Sequence, residues 1–304
     1  MDNLRNKLKK INIDGHLTFD EPMSKHTTFQ TGGNADIFFS PANTTELKLV
    51  LDIAKKNEAE IYITGGGANL LVSDKGLKGI VINTNLLDSI SIQKDGLLKC
   101  GAGVTVDNAA EAALNVSISG LDSFFGMPGT IGGALWMNAR CYDKSISDII
   151  ISANYLDQDL QIHSIPKSEM CFDYKKSVFQ SQKWIILDAI FELEKDDKDL
   201  IRAKMIKNKE DRKSKGHYSA PCAGSIFKNN RAFGKPSGVI IDSLNLRGTK
   251  IGGAAVSDYH ANIIINSGNA KSSEIKELIT LIQDKVKKAY DFILEPEVQF
   301  IGDF

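Results

Sequence analysis

The sequence has no surplus of charge: 37 lysines and arginines stand against 38 aspartates and glutamates in 304 residues, a formal net charge of −1. A global electrostatic case for nucleic acid or an anionic membrane as partner is therefore missing. The four cysteines, Cys100, Cys141, Cys171 and Cys222, include no Cys-x-x-Cys pair, and the five histidines are scattered. Neither a zinc site nor a disulfide framework is indicated, no metal is expected, and the thiols read as reduced and packed. No apolar run approaches the length of a bilayer span, and Met1 to Lys10 is charged where a signal peptide carries an apolar core. A cytoplasmic location is the resulting expectation. Familiar motifs are missing too. Gly65-x-Gly67 is followed by Leu70, and Gly101-x-Gly103 by Val106, where a dinucleotide fingerprint needs its third glycine. There is no Walker P-loop and no Gly-x-Ser-x-Gly elbow. With 42% hydrophobic and 25% charged residues, the composition is that of an ordinary soluble enzyme.

What the chain does have is glycine in two dense runs. In Gly126-Met127-Pro128-Gly129-Thr130-Ile131-Gly132-Gly133, four glycines and a proline precede the short apolar segment that ends at Ala139. Each glycine gives up backbone entropy on folding, so ordinary helix or strand interiors avoid this density. Pro128-Gly129 sets a tight turn. Two readings stand. One is a buried turn; the other is a close approach of a ligand, with Gly132 and Gly133 lacking Cβ atoms and successive amides facing an anion near a helix start at Thr130. The second run, Gly65-Gly66-Gly67-Ala68-Asn69-Leu70-Leu71-Val72, follows the β-branched strand Glu60 to Thr64 and favours the ligand reading.

The length predicts two or three domains. Residues 1 to 20 show weak helical periodicity, and a short strand is expected at Ala35 to Phe39. Asn43-Thr44-Thr45-Glu46 resembles a capping box before Leu47, Val50, Leu51 and Ala54 at helical spacing. Strands are predicted at Gly79 to Thr84 and Trp184 to Glu194. Hairpins are predicted around Asp95-Gly96 and around Asp157 to Asp159, with a helix from Thr105 to about Ser117. The charged run Lys195 to Asp199 opens a helix to about Lys213 and marks a domain boundary. Beyond it come strands at Ser225 to Lys228, Ala254 to Ser257 and Asn262 to Asn266. A helix follows with Ile275, Leu278, Ile279, Ile282, Val286 and Tyr290 on its core face. The last strand is Leu294 to Ile301. Hairpins joined to separate helices indicate α+β organisation and not a doubly wound parallel sheet.

Several residues could carry chemistry. Ser225 follows Ala223-Gly224 and stands near Lys228 and Asn229; it reads either as a turn residue or as an acid, which would require nearby charge and a desolvated pocket. Glu295 and Glu297 flank Pro296 and share a strand face by the period of two. They are either surface carboxylates or one catalytic group beside a solvated one. Phe172 to Phe179 interleaves aromatics with Lys175 and Lys176, either a loop with snorkelling cations or an anion-binding edge. Arg212, Lys213 and Lys215 are an exposed helix end or a contact for a phosphorylated substrate.

Taken together, these segments resemble the UDP-N-acetylenolpyruvoylglucosamine reductase family, whose motifs occur in order from Thr28-Phe29-Gln30-Thr31-Gly32-Gly33-Asn34-Ala35-Asp36 to Glu295-Pro296-Glu297-Val298. The resemblance implies a vanillyl-alcohol-oxidase (PCMH) type FAD-binding domain over 1–197, with subdomains of about 1–70 and 71–197. A C-terminal α+β substrate-binding domain over 198–304 completes the implied organisation. Non-covalent FAD would be enclosed by Gly65, Gly66, Gly67, Ala68, Asn69 and Leu70 on one side and Pro128, Gly129, Thr130, Gly132 and Gly133 on the other, with Gly103 and Asn138 also at the cofactor. NADPH would be the co-substrate. The implied reaction delivers hydride to the enolpyruvyl methylene carbon of a nucleotide sugar. Ser225 would then give a proton to the enolate-like intermediate, with Glu297 as its electrostatic or proton-relay partner. Tyr174, Arg212, Lys228, Asn229 and His260 fall at substrate positions. No nucleic acid or membrane partner is implied; the oligomeric state is left open, with a monomer as the expectation.

Three departures from the family pattern stand out. Lys175 replaces the usual arginine after the tyrosine of a Tyr-x-x-Ser motif; it keeps the charge for the catalytic site but loses the planar fork that grips a carboxylate. Ala68 replaces a serine, giving up a hydroxyl contact while leaving the backbone donors. Arg140-Cys141 replaces Gly-Ala. Two other functions stay open on the sequence: a flavin oxidase of the same fold acting on an alcohol or hydroxy acid, and a catalytically silent nucleotide-sugar binding protein.

Overall fold

A computed structural model describes residues 1–93 and 96–304. Gly96 has the positive φ of a turn, while Asp95 of the expected Asp95-Gly96 pair lies outside the described residues. The chain divides into two compact units. The first comprises Met1–Phe19, Ile37–Gly66 and Gly79–Lys209, and the second Asp20–Asp36, Gly67–Lys78 and Glu210–Phe304. The α+β organisation expected from the sequence is what forms.

Two apolar cores fill the first unit. One gathers around the helix Thr44–Lys56, whose Leu47, Val50, Leu51 and Ala54 are buried at helical spacing. Asn43 caps it, accepting from the Glu46 amide. The second half of the expected capping box does not form. The Glu46 carboxylate instead accepts from the amides of Asp14, Gly15 and Ala42, at 2.7, 3.1 and 3.0 Å. A four-stranded sheet accompanies this helix, in the order His16–Pro22, Asn34–Ser40, Leu77–Asn83, Ile61–Thr64. Its last two strands run parallel, Ile61 opposite Ile80 and Thr64 opposite Asn83. The helical periodicity read in residues 1 to 20 holds only for Asp2–Leu8; the strand after it was masked by the same weak apolar spacing.

The other core lies against a five-stranded antiparallel sheet ordered Ile162–Pro166, Ile150–Leu156, Ile185–Phe191, Leu98–Gly101, Ile90–Ile92. Its central strand, Ile185–Phe191, is buried at five of seven positions, the pattern of a strand covered on both faces. Helix Val106–Asn115, capped by Thr105, and the short helix Ile131–Trp136, capped by Thr130, pack into this core.

In the second unit, an antiparallel sheet ordered Cys222–Ser225, Ile263–Asn266, Ala254–Val256, Lys250–Ile251 packs with helix Ser272–Tyr290. Ile275, Leu278, Ile279, Ile282 and Val286 are buried as the spacing predicts, but Tyr290 is 40% exposed and its hydroxyl meets Ser243 Oγ at 2.7 Å. A tyrosine at a helix end reaches solvent because its hydroxyl needs a polar partner. The strand expected at Ser225 to Lys228 forms earlier, at Cys222–Ser225. Past Ser225 the Asn262 side chain accepts from the Phe227 amide (2.9 Å) and donates to its carbonyl (2.8 Å), replacing ladder bonds. Ladder pairing at the C-terminus is likewise shorter than expected: only Gln299–Ile301 forms a strand, parallel to Leu70–Val72.

Asp74 fixes the start of the long helix, accepting from the Ser272 and Ser273 amides at 2.8 and 2.9 Å. Partial desolvation pushes its carboxyl up, but the bonds from Ser273 and Ser272 outweigh that, so it titrates below the usual aspartate range. A depressed carboxyl stabilises the fold above its unfolded pKa and loses that contribution as pH falls through the folded one. Asp74→Asn is therefore expected to cost about 0.5–1 kcal/mol at pH 7 and progressively less below pH ~4. Urea unfolding at both pH values checks this, and equal stability of the two proteins at pH 7 would contradict the assignment.

Candidate cofactor site and active site

The two glycine runs meet inside the first unit. A Cβ on Gly66 would lie 3.0 Å from Gly129 Cα, and one on Gly65 would lie 2.4 Å from Thr130 Oγ1. Only side-chain-free backbone allows the turns to approach so closely. Among the described residues, the amides of Gly65, Gly66, Gly129 and Thr130 donate to no hydrogen bond. Four unspent donors on two abutting turns suit an anion with several oxygens.

Other amides of the second run are not available. Ile131 N–H donates to the Val104 carbonyl (2.8 Å), Gly132 N–H to Ala102 (2.9 Å), and Gly133 N–H to Thr130 Oγ1 (3.5 Å). This corrects the expectation of a continuous run of free donors. Gly132 lacks a side chain for a packing reason, since a Cβ there would come within 2.9 Å of Ala102 Cβ. Gly103 is similar, with the Thr84 carbonyl 2.2 Å from where its Cβ would stand. Gly133 is exposed and its missing Cβ faces open space except for Thr130 Oγ1 at 3.7 Å. Pro128 is exposed at the turn.

Tyr174 and Lys175 sit at the tip of a β-turn in the same unit. Lys176 N–H donates to the Asp173 carbonyl at 3.1 Å, and Lys175 takes φ +58°, the positive value that a type II turn requires at its third position. The turn is strapped to the helix after the glycine run. Asn138 Nδ2 donates to the Asp173 carbonyl (3.0 Å), Ser177 Oγ to the Trp136 carbonyl (2.7 Å), and Gln180 Nε2 to the Lys175 carbonyl (2.9 Å). Asn138 thus acts through its side chain on the Tyr174-Lys175 turn.

The second unit brings Ser225 and Glu297 onto neighbouring segments. The Glu297 amide donates to the Ile226 carbonyl at 2.7 Å, Lys228 N–H to the Glu295 carbonyl at 2.9 Å, and Phe227 pairs with Pro296. Gly224, at φ +70°, bends the chain just before Ser225. Residues of the first glycine run belong to this assembly. Asn69 Nδ2 donates to the Glu297 carbonyl (3.0 Å), the Asn69 carbonyl accepts from Gln299 N–H (2.9 Å), and Leu70 pairs with Gln299. Gly67 has φ +63° and packs on the His26 carbonyl, and Ala68 follows it half-buried. Lys228 forms an ion pair with Glu295 at 2.6 Å, and Asn229 Oδ1 accepts from the Ser237 amide at 2.9 Å.

His260 stands apart from Ser225 along the chain but in the same unit. Its Nδ1 accepts from the Asn262 amide at 3.1 Å, and its ring centroid is 6.5 Å from that of His217. Burial, then Arg212 and His260, push His217 down to about 4. Burial, then Arg247 and Lys215, push His260 down as well. Both rings are therefore neutral at pH 7, in a setting that Arg212 and Lys215 keep cationic. Sequence reading missed His217, a lone histidine with no motif around it. It missed Asn83 too, an ordinary strand residue by pattern whose Nδ2 donates to the Gly65 carbonyl at 2.9 Å. Among the described residues, no group of His, Cys, Asp and Glu is arranged to hold a metal, and no helix is long and apolar enough to cross a membrane.

Comparison with known proteins gives matches along the whole chain. Residues 216–301 match the UDP-N-acetylenolpyruvoylglucosamine reductase C-terminal domain, and residues 35–165 match an FAD binding domain. The UDP-N-acetylenolpyruvoylglucosamine reductase of Treponema denticola is 41% identical, over 96% of this chain and 95% of the relative. A crystal structure of UDP-N-acetylenolpyruvylglucosamine reductase from Thermus caldophilus superposes with a TM-score of 0.81 at 26% identity, covering 96% of this chain and all of that one. BBE-like 1 of Physcomitrella patens shares the fold of the FAD-binding portion, with a TM-score of 0.50 at 16% identity over 63% of this chain and 44% of that one.

The four unspent amides and the absent Cβ atoms fit the diphosphate of FAD. Gly66→Ala would drive a methyl against the Gly129 backbone, an overpacking cost of about 1–3 kcal/mol. FAD affinity, measured by fluorescence titration, is expected to fall about tenfold or more; an unchanged affinity would contradict the two-turn cradle.

Proposed function

The chain belongs to the UDP-N-acetylenolpyruvoylglucosamine reductase family, and from that premise we propose the roles that its residues take in the reaction. The protein is an FAD-dependent oxidoreductase that uses NADPH to reduce the enolpyruvyl group of UDP-N-acetylglucosamine enolpyruvate, giving UDP-N-acetylmuramate for peptidoglycan synthesis. The observation that carries the cofactor assignment is the contact of two side-chain-free turns with donors left over.

On this reading Gly65, Gly66, Gly129 and Thr130 hold the FAD diphosphate through main-chain N–H groups, while Gly103 and Gly132 let the surrounding chain pack tightly enough to present them. Gly67 to Leu70, Pro128, Gly133 and Asn138 complete the cofactor-binding set. Residues 1–197 carry FAD binding and 198–304 substrate binding, with the short stretches 20–36 and 67–78 packed in the same compact unit as 210–304. Bound FAD supplies a two-electron relay between NADPH and the substrate.

Ser225 Oγ holds the proton that is delivered to the carbon bearing the substrate carboxylate, and the Glu297 carboxylate stabilises or replenishes it. A hydroxyl is workable as an acid here because the acceptor is an enolate-like carbon, a far stronger base than water. The charge of Lys175 orients the substrate carboxylate from the tip of its turn, as a single-point contact where arginine would make two parallel bonds. Tyr174, Arg212, Lys228, Asn229 and His260 are the further residues assigned to substrate binding. The neutral state of His260 makes it a hydrogen-bonding group and not a counter-charge. The enzyme works in the cytoplasm as a monomer.

A yellow purified protein that consumes NADPH only when the enolpyruvyl substrate is present supports this function. A flavin bleached by an alcohol and not by NADPH would indicate an oxidase, and a colourless protein that binds the nucleotide sugar would indicate a silent binding protein. Ser225→Ala is expected to leave bleaching of the bound flavin by NADPH intact and to slow the substrate-dependent return of colour about 100-fold, the scale of losing a general acid. Equal loss in both half-reactions, followed by stopped-flow absorbance, would contradict the role.

A further inference from the structure

Resting on the FAD-binding reading above, we infer that Asn83 is a positioning residue that sets the Gly65–Gly66 peptide in the orientation the diphosphate needs. Asn83 ends the strand that runs parallel to Ile61–Thr64 and is 2% exposed. Its side-chain amide is fully engaged. Nδ2 donates to the Gly65 carbonyl at 2.9 Å and to Thr64 Oγ1 at 3.2 Å, and Oδ1 accepts from the Asn85 amide at 3.1 Å. One residue on, Thr84 Oγ1 donates to the Thr64 carbonyl at 3.3 Å.

The bond to the Gly65 carbonyl has a directional consequence. In a trans peptide the C=O and the following N–H lie in one plane and point opposite ways. Pinning the Gly65 oxygen on Asn83 therefore turns the Gly66 N–H away from the strand pair, where it is unspent. Nothing in the two glycines would hold that plane otherwise, since glycine samples both signs of φ and the peptide between two glycines flips at little steric cost. Holding it before the ligand arrives removes an ordering cost from binding. A buried amide used in this way also must be satisfied in every direction, which the Thr64 and Asn85 bonds achieve.

Asn83→Asp tests the direction and not only the packing. The shape is kept, but both donors are lost. The new carboxylate would repel the Gly65 carbonyl and attract the Gly66 N–H, favouring the flipped plane. Thr84→Val is the comparison: it removes a bond of the same neighbourhood that fixes the Thr64 carbonyl and leaves the glycine peptide alone. Fluorescence titration of the apoproteins with FAD is read beside their melting temperatures without FAD. Asn83→Asp is expected to weaken FAD binding at least tenfold, and Thr84→Val to lower the apoprotein melting temperature while leaving FAD affinity within twofold. If Asn83→Asp gives no folded protein, Asn83→Ser takes its place, because a serine hydroxyl is too short to reach the Gly65 carbonyl, and the same tenfold loss is expected. FAD affinity unchanged in the folded Asn83 variant, or lowered as much by Thr84→Val, would overturn the inference. Failure of the wild-type protein itself to bind FAD would instead contradict the family function.

Discussion

Gly66 and Gly129 approach so closely that a single added methyl on Gly66 would stand 3.0 Å from the Gly129 Cα. The surrounding contacts form a closed circuit. Thr130 meets Gly65, Ile131 and Gly132 bond to Val104 and Ala102, and Gly103 lies under Thr84. The Asn83 side chain then returns to Thr64 and Gly65. Each step is a backbone approach or a short polar side chain, so there is little slack for one member to absorb a displacement of another. Close-packed interiors transmit such displacements instead of damping them. The donors left over at Gly65, Gly66, Gly129 and Thr130 are thus held by the same contacts that bring the turns together.

The second unit solves a different problem, that of presenting a hydroxyl and a carboxylate from neighbouring segments. Gly224 bends the chain ahead of Ser225, and Asn262 takes over the backbone bonds of Phe227, freeing the following residues from a regular ladder. The Glu297 segment is fixed on one side by Ile226 and on the other by Asn69. Asn69 comes from the first glycine run and lies in the same unit as Ser225 and Glu297. Mutations at Asn69 are therefore felt at Glu297 through the bond from the Asn69 side-chain amide to the Glu297 carbonyl.

How far these features could be read beforehand varies with the physics behind each. Apolar spacing located the helices at Thr44–Lys56 and Ser272–Tyr290 and most strands, because burial of one face leaves a periodic record. It failed at His16–Pro22, where Asp20 and Pro22 interrupt alternation, and at Tyr290, whose polar tip carries it to the surface. Glycine density marked the cradle but not its mechanism. The same missing Cβ lets two donor-bearing turns abut at Gly66 and lets the chain pack at Gly103 and Gly132, and only the three-dimensional structure separates the two uses. Asn83 and His217 left no pattern, since a side chain that bonds to a backbone distant in sequence has no periodicity. The roles proposed for Ser225, Glu297 and Lys175 come from family motifs and not from their residue types.

Amide hydrogen exchange, followed by mass spectrometry of peptides spanning 62–71 and 126–135 with and without FAD, reads the cradle directly. FAD is expected to protect the amides of Gly65, Gly66, Gly129 and Thr130, while Ile131 and Gly132, already bonded to Val104 and Ala102, change little. Protection confined to other segments, with those four amides exchanging at the same rate in both states, would contradict the account.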